Sequence, residues 1–229
     1  MADNPHDGHR KRVRERFIRA GLHAFQEHEK LEMLLFHAIP RADTNPIAHA
    51  LLERFGSVHA VLTASPTALK AVPGMTENAV VMLLFLRKFY SEAEADRFMG
   101  CPLDSFVRSK AFFQHVYAFE ERELVTAAFL DDKLCLIGCE TLSEGSTTRV
   151  TVPEEQLSER AFALHSNTVI LAHNHPKGTA LPSKEDISVT RLIVPRLRRI
   201  QIELVDHIII GEHDAVSLRE RGVFMGLEE

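Results

Sequence analysis

The sequence is poor in aromatic residues and in cysteine: it has no tryptophan, two tyrosines and three cysteines in 229 residues. An odd cysteine count and an N-terminus without an apolar stretch predict a protein of the reducing cytoplasm, not a secreted one. No run approaches the ~20 apolar residues that a membrane helix requires. Cys135 and Cys139 lie in the apolar run KLCLIGC, which favours small core residues over a redox pair.

The chain also lacks an excess of positive charge. Lys and Arg number 27 against 32 Asp and Glu, so the formal net charge is -5. Overall charge therefore gives no argument for nucleic-acid binding, and a basic surface would have to be local. With 45% hydrophobic and 26% charged residues, the composition is that of a globular protein with a substantial core. The length predicts one large domain or two small ones.

Helical periodicity covers the first part of the chain. Leucine and other apolar residues recur at helical spacing, and a long helix is predicted from Glu77 to about Asp96. Ser57 and Ser65 are suited to cap helix N-termini, and Gly56 is placed to end a helix. These patterns predict an all-helical domain over residues 1–98.

The periodicity breaks in the segment 98–109, where the glycine, proline and aspartate of MGCPLDS indicate a domain junction. A second domain is predicted over residues 105–229. Its predicted elements, in chain order, are a helix over 110–119, a hairpin of ELVTAAFL and KLCLIGCETL joined at Asp131-Asp132, the strand TTRVTV, a helix over 154–163, the strand TVILAHNH, a helix over 184–199 and the strand QIELVDHIII. Strands and helices interspersed in this way predict a sheet with helices packed on it, an α+β or α/β domain.

The segment LAHNHPKGTALPSKED carries the clearest chemical signal. His173 and His175 follow an apolar strand, and side chains at i and i+2 of an extended segment point to the same face. Ser183 and Asp186 have the spacing of a capping box that opens a helix, which would turn the Asp186 carboxylate back toward the loop. Taken alone, this pair is more often only a helix cap. Together with the two histidines it predicts a metal site.

Two neutral imidazoles and one carboxylate form the three-ligand set of a catalytic zinc, which keeps a fourth position open for water. Zinc lowers the pKa of such a water toward ~7, so that it becomes a nucleophile at neutral pH. The sequence thus predicts a zinc-dependent hydrolase with His173, His175 and Asp186 as metal ligands.

The run His173-x-His175-Pro176 with Ser183-x-x-Asp186 resembles the signature of the JAMM (MPN-plus) metalloproteases. HNHPKG followed by PSKED is similar to the RadC family in particular. The segments GHRKRVRERF, LEMLLFHAIPRAD and LLERFGS in the first half, and VDHIIIG and SLRERG in the second, also resemble that family, so that the likeness covers most of the chain.

The resemblance implies an MPN (JAB/JAMM) fold of the α/β sandwich type after the helical domain, with Zn²⁺ held by the three ligands. It implies that Ser183 polarises the substrate carbonyl or holds the tetrahedral intermediate. It also implies an upstream glutamate that acts through the zinc-bound water, and Glu123 in RELVTAAFLDD stands at that position. Glu120 and Glu121 are the alternatives for this role.

The helical part contains two features typical of nucleic-acid binding. LKAVPGMTENA, residues 69–79, resembles a helix-hairpin-helix, although it has only Gly74 of the two glycines and Thr76 is better placed to cap the next helix. The second feature is a basic cluster on the predicted first helix, made of Arg10, Lys11, Arg12, Arg14, Arg16 and Arg19. A solvated helix face is the alternative for this cluster. We expect at most weak DNA binding in this half.

The leading hypothesis is a JAMM-type zinc metallohydrolase that cleaves a peptide or isopeptide bond in a protein or peptide substrate. The alternatives are a DNA-binding accessory protein of repair or recombination, whose zinc domain is structural or acts on a partner, and a zinc phosphodiesterase. Lys177 stands where the RadC family usually has serine, and Glu154 replaces a usual basic residue. Both departures concern substrate preference.

Overall fold

The computed structural model describes residues 5–144, 152–176 and 178–227. The predicted strand TTRVTV, residues 147–152, lies outside the described residues except for its last position. Contact density divides the chain into two compact units, Met1–Tyr90 and Ser91–Glu229. No helix among the described residues is both long enough and apolar enough to cross a membrane.

The first unit is built from helices alone. Its helices are α1 (Pro5–Ala20), α2 (Glu27–Ala38), α3 (Asn45–Phe55), α4 (Val58–Thr63), α5 (Pro66–Lys70) and most of α6 (Glu77–Asp96). Their apolar faces surround one core, in which Leu35, Leu51 and Leu83 are fully buried. The all-helical character of this part was predicted, and so were the bounds of α6.

Short polar signals set the ends of these helices, as the sequence predicts. The hydroxyl oxygens of Ser57 and Ser65 accept the N–H groups of Ala60 and Ala68 at the starts of α4 and α5. Gly56 ends α3 in the left-handed conformation with φ of 86°.

The second unit contains a five-stranded sheet with helices on both faces. Its elements are α7 (Phe106–Val116), β1 (Leu124–Leu130), β2 (Leu136–Glu144), α8 (Glu154–Ala163), β3 (Thr168–Asn174), α9 (Lys184–Arg199), β4 (Glu203–Ile210) and β5 (Ala215–Ser217). The strand order is β2-β1-β3-β4-β5. Only β3 and β4 are parallel, joined by α9 as the crossover; the other neighbours are antiparallel.

Successive side chains of β1 and β3 point to opposite faces of the sheet and contribute to two cores, one on each face. Val125 and Leu171 face the core that α8 and α9 cover. Ala128 and Ile170 face the other, which Phe112 of α7 covers. Because both faces are covered, β1 and β3 read in the sequence as continuous apolar runs.

Helix α7 differs from its prediction, which was a helix over 110–119. It begins at Phe106 and ends at Val116. Ser105 has extended backbone angles at its N-terminus, and the Asp104 carboxylate pairs with Arg108 one turn later. The non-periodic segment before it belongs to the second unit, since Gly100 and Leu103 hydrogen-bond to the chain that leads into β2.

Candidate metal centre

His173 and His175 come together at the C-terminal end of β3, between β1 and β4. Their Nε2 atoms are 3.1 Å apart. His173 is the last but one residue of the strand and its side chain is 1% exposed, whereas the His175 side chain is 21% exposed. The pair therefore has one member in the protein interior and one that opens to solvent, as a site for a water and a substrate requires.

Asp186 reaches the two histidines from the first turn of α9. Ser183 and Asp186 form the predicted capping box: the Ser183 hydroxyl oxygen accepts the Asp186 N–H at 3.0 Å, and Asp186 Oδ2 accepts the Ser183 N–H at 2.7 Å. This arrangement turns the carboxylate back over the loop. Asp186 Oδ1 lies 3.2 Å from His173 Nε2, and Oδ2 lies 3.9 Å from His175 Nε2.

The Asp186 carboxyl is ionised despite its burial. Burial by itself raises the pKa of this group, but the His173 ring and the hydrogen bonds with Ser183 outweigh it and hold the pKa well below its usual range. A charged ligand is therefore present at neutral pH.

The three side chains fit a zinc ion by chemistry and by spacing. One donor atom from each lies within 4.8 Å of the other two. A tetrahedral zinc with bonds of ~2.0–2.1 Å holds its donor atoms about 3.3 Å apart, close to the separations found here. Two imidazole nitrogens and a carboxylate oxygen that face each other are the donor set that zinc binds. Within the part of the chain that the structure describes, no second group of this kind converges.

The ring orientation of His175 is set by a backbone carbonyl. His175 Nδ1 lies 2.9 Å from the Thr179 carbonyl oxygen, which can only accept, so Nδ1 carries the ring proton and Nε2 is free to bind metal. The loop is itself held by the turn after β4, where Asp214 Oδ1 accepts the Ala180 N–H at 2.8 Å. A Cβ at Gly211 would collide with Asp214 and lie 2.5 Å from Ala180 N, so this approach requires glycine.

His207 and Thr190 form an outer layer behind His173. His173 Nδ1 lies 3.0 Å from His207 Nε2, and His207 Nδ1 lies 2.7 Å from the Thr190 hydroxyl. That hydroxyl is also 2.6 Å from the Asp186 carbonyl oxygen. His207 and Thr190 are fully buried, and burial next to His173 lowers the pKa of His207 to about 3, so the ring is neutral.

This outer layer was not predicted from the sequence. The sequence signal for this layer is His207 itself, a histidine in the apolar run QIELVDHIII that forms β4. Its partner on β3 depends on how the two strands are aligned, and the pairing shifts register between Val169 and Ile170.

Glu123 lies directly before β1 and is half-buried. Val125 pairs with His173 across β1 and β3, and Glu123 and His175 each lie two residues beyond this pair, at the same end of the two strands. It is not among the converging donor atoms. The catalytic role of Glu123 stays a prediction.

Asn174 fixes the backbone on both sides of Glu123. Its Oδ1 accepts the Leu124 N–H at 2.7 Å, and its Nδ2 donates to the Arg122 carbonyl at 2.9 Å. Asn174 is buried and stands between the two histidines in sequence. Its amide thus ties the entry of β1 to the strand that carries the ligands, a contact that the sequence did not predict.

The predicted basic cluster of α1 is partly used inside the helical unit. Arg10 is buried and donates to the carbonyl oxygens of Ile39, Pro40 and Ala42 at 2.8, 2.7 and 2.6 Å. Arg16 pairs with a glutamate of α2 at 2.6 Å. The remaining four cations of the cluster are exposed: Lys11, Arg12, Arg14 and Arg19. DNA binding through them stays a prediction.

The segment resembling a helix-hairpin-helix has a structural reason for its glycine. Gly74 adopts φ of 85°, and a Cβ there would lie 2.8 Å from Ile47 Cγ1. The Met75 N–H is bound to the Val72 carbonyl. The Thr76 hydroxyl oxygen accepts the Ala79 N–H at 3.2 Å, which confirms that Thr76 caps α6.

Of the two departures from the family pattern, Glu154 can be placed and Lys177 lies outside the described residues. Glu154 begins α8 and pairs with Arg196 of α9 at 2.5 Å. The pair joins two helices on the face of the sheet that carries the metal ligands.

Comparison with known proteins places this site in a family. Residues 103–223 match the family model of the RadC-like JAB domain. UPF0758 protein SPO0054 of Ruegeria pomeroyi is 35% identical over 93% of this chain and 96% of its own length. The chain belongs to the RadC family. A second relative, UPF0758 protein FN0909 of Fusobacterium nucleatum, is 32% identical over 97% of this chain and all of its own length.

Membership confirms the fold expected from the resemblance, a helical part followed by a domain of the JAB/MPN type. The matched range includes the three converging side chains and also Glu123 and His207. Neither relative's name states an activity or a substrate.

Proposed function

We propose that this RadC protein is a zinc-dependent metallohydrolase of the JAMM type that cleaves a peptide or isopeptide bond. The observation that carries the proposal is the convergence of His173, His175 and Asp186, on one strand end and one helix start, around a position that His175 leaves open to solvent. Two imidazoles and one carboxylate are the ligand set of hydrolytic zinc sites that keep a position for water.

A bound zinc would act as a Lewis acid and lower the pKa of a coordinated water toward ~7. Glu123 then supplies the acid–base chemistry. From its place two residues before Val125, the partner of His173, its carboxylate would accept a proton from the attacking water and later pass it to the leaving amine. The amide of Asn174 holds the peptide groups on either side of Glu123, which keeps this carboxylate in position.

Ser183 serves two purposes in this scheme. A lone pair of its oxygen accepts the Asp186 N–H, which fixes the ligand carboxylate. Its hydroxyl proton is still available to donate to the carbonyl oxygen of the substrate as negative charge develops there.

The two alternative functions receive less support. A nuclease or phosphodiesterase more often uses paired metals and several carboxylates, and the converging group has one. A DNA-binding accessory protein would draw on the basic cluster of α1, of which Arg10 and Arg16 are engaged within the helical unit.

The test is a hydrolysis screen with zinc-loaded protein. Wild-type protein is incubated with a proteome-derived peptide library, isopeptide-linked peptides, and DNA and RNA oligonucleotides, and new termini are identified by mass spectrometry. We expect cleaved amide bonds with wild-type protein and none with Asp186→Asn, because a neutral amide is a poor zinc ligand. Cleavage of phosphodiesters without amides, or amide cleavage that survives Asp186→Asn, would overturn the proposal.

A further inference from the structure

Three buried side chains form a chain of hydrogen bonds that leads away from the candidate metal position. It runs from His173 to His207 and on to Thr190, with donor–acceptor distances of 3.0 and 2.7 Å. It ends at the Asp186 carbonyl, 2.6 Å from the Thr190 hydroxyl. All three side chains are 1% exposed or less, so no bulk water replaces a bond that is lost.

The hydrogen bonds between these side chains can be donated in either of two directions. Each neutral imidazole carries one ring proton, on Nδ1 or Nε2, and a hydroxyl both donates and accepts. In one direction, His173 donates from Nε2 to the Asp186 carboxylate and accepts at Nδ1 from His207, which accepts in turn from Thr190. In the other, His173 donates from Nδ1 to His207, His207 donates from Nδ1 to Thr190, and Thr190 donates to the Asp186 carbonyl.

A metal ion on His173 Nε2 allows only the second direction. Coordination uses the Nε2 lone pair, so the ring proton must be on Nδ1 and needs an acceptor. His207 Nε2 is that acceptor at 3.0 Å. The total number of ring protons is the same in both directions, so no buried ring gains a charge.

We propose that His207 and Thr190 are positioning residues that let this chain reverse when a divalent metal binds, so that His173 presents an unprotonated Nε2. The inference rests on the metal site of the proposed function. Thr190 favours the metal-binding direction, because only then does its hydroxyl both accept from His207 and donate to the Asp186 carbonyl. A carboxylate in place of His207 can only accept, and would bring a buried charge.

The first test measures the affinity for Zn²⁺ alone by competition with a chromophoric chelator. Thr190→Val keeps the shape but leaves the His207 N–H without an acceptor, so zinc affinity should fall about 10-fold, the lower end for outer contacts of metal ligands. Thr190→Ser restores the hydroxyl and should restore the affinity. Thr63→Val is the matched control, since Thr63 belongs to the helical unit, is also buried and bonds a carbonyl one turn earlier, that of His59.

The second test reads the ring protons directly. Nitrogen-15 NMR of the histidine rings should place the protons of His173 and His207 on Nδ1 in the zinc-loaded protein and on Nε2 in the metal-free protein. This readout does not depend on catalysis, and it reports the ring protons themselves and not the stability of the fold.

Unchanged zinc affinity in Thr190→Val, or the same tautomers with and without zinc, would overturn the inference. A wild-type protein that binds no zinc would instead overturn the proposed function, so the two failures are distinct. His207→Phe adds a stronger perturbation if it folds, with an expected loss of up to about 100-fold.

Discussion

Two acidic residues near the metal centre have different surroundings and different expected roles. Asp186 is 2% exposed, points at both histidines, and is held by Ser183. Glu123 is half-buried, lies two residues before the Val125–His173 pair and is not among the converging donor atoms. Replacing each by its amide therefore separates metal binding from proton transfer.

We expect Glu123→Gln to keep its zinc and its fold and to lose turnover by roughly two to four orders of magnitude, the usual effect of removing a positioned acid–base group. The amide keeps the shape and can hydrogen-bond, but it cannot accept a proton. The measurement is the zinc content together with the rate on a substrate from the hydrolysis screen.

Glu120→Gln is the matched control, because Glu120 is a half-buried glutamate three residues earlier, and it should leave the rate unchanged. If Glu123→Gln turns over as fast as wild type, the base is another residue. If it loses zinc, Glu123 is a ligand and this mechanism is wrong.

At the residue scale, the sequence predicts well what depends on local geometry. The i, i+2 spacing brings His173 and His175 together, and the capping box directs Asp186 to them, since both are properties of a few consecutive residues. His207 and Thr190 were not predicted, because their contacts join two strands and a helix through a shifted register.

At the element scale, the turn between α5 and α6 depends on one glycine. Gly74 and Gly56 have nearly the same φ, 85° and 86°, but only at Gly74 does an added Cβ meet a neighbour, Ile47. An alanine at either position would therefore adopt an unfavourable left-handed backbone conformation, but only at position 74 would its Cβ also collide with a neighbouring side chain.

We predict that Gly74→Ala destabilises the protein more than Gly56→Ala. Both variants carry a backbone cost of roughly 1–2 kcal/mol, and Gly74→Ala adds an overpacking cost of about 1–3 kcal/mol against Ile47. The free energy of unfolding in denaturant measures the difference, and effects on the unfolded chain largely cancel between two Gly→Ala changes. Equal losses would mean that Ile47 moves aside at little cost.

Elements with clear signals at their ends were predicted with correct bounds. The helices α6, α8 and α9 begin and end where the sequence predicts, and Thr76 and Ser183 cap the starts of α6 and α9. The start of α7 was placed four residues late, because the Asp104–Arg108 pair and the extended Ser105 do not show as apolar periodicity.

For the whole molecule, the sequence predicts a helical part followed by a sheet with helices, and membership of the RadC family confirms it. The strand order β2-β1-β3-β4-β5 was not predicted. Which strands become neighbours depends on packing between elements far apart in the chain. The residue pattern of a single strand does not indicate which strand will lie beside it. That order nevertheless builds the site, since it puts β3 between the strand that follows Glu123 and the strand that carries His207.

The most direct test of the central claim is metal analysis of the purified protein. We predict about one zinc per chain in the wild type and none in a His173→Ala, His175→Ala double variant, because the remaining carboxylate cannot hold the ion alone. A double variant of the stacked pair His28 and His49 in the helical unit serves as control and should keep its zinc. Full zinc occupancy after loss of His173 and His175 would contradict the account.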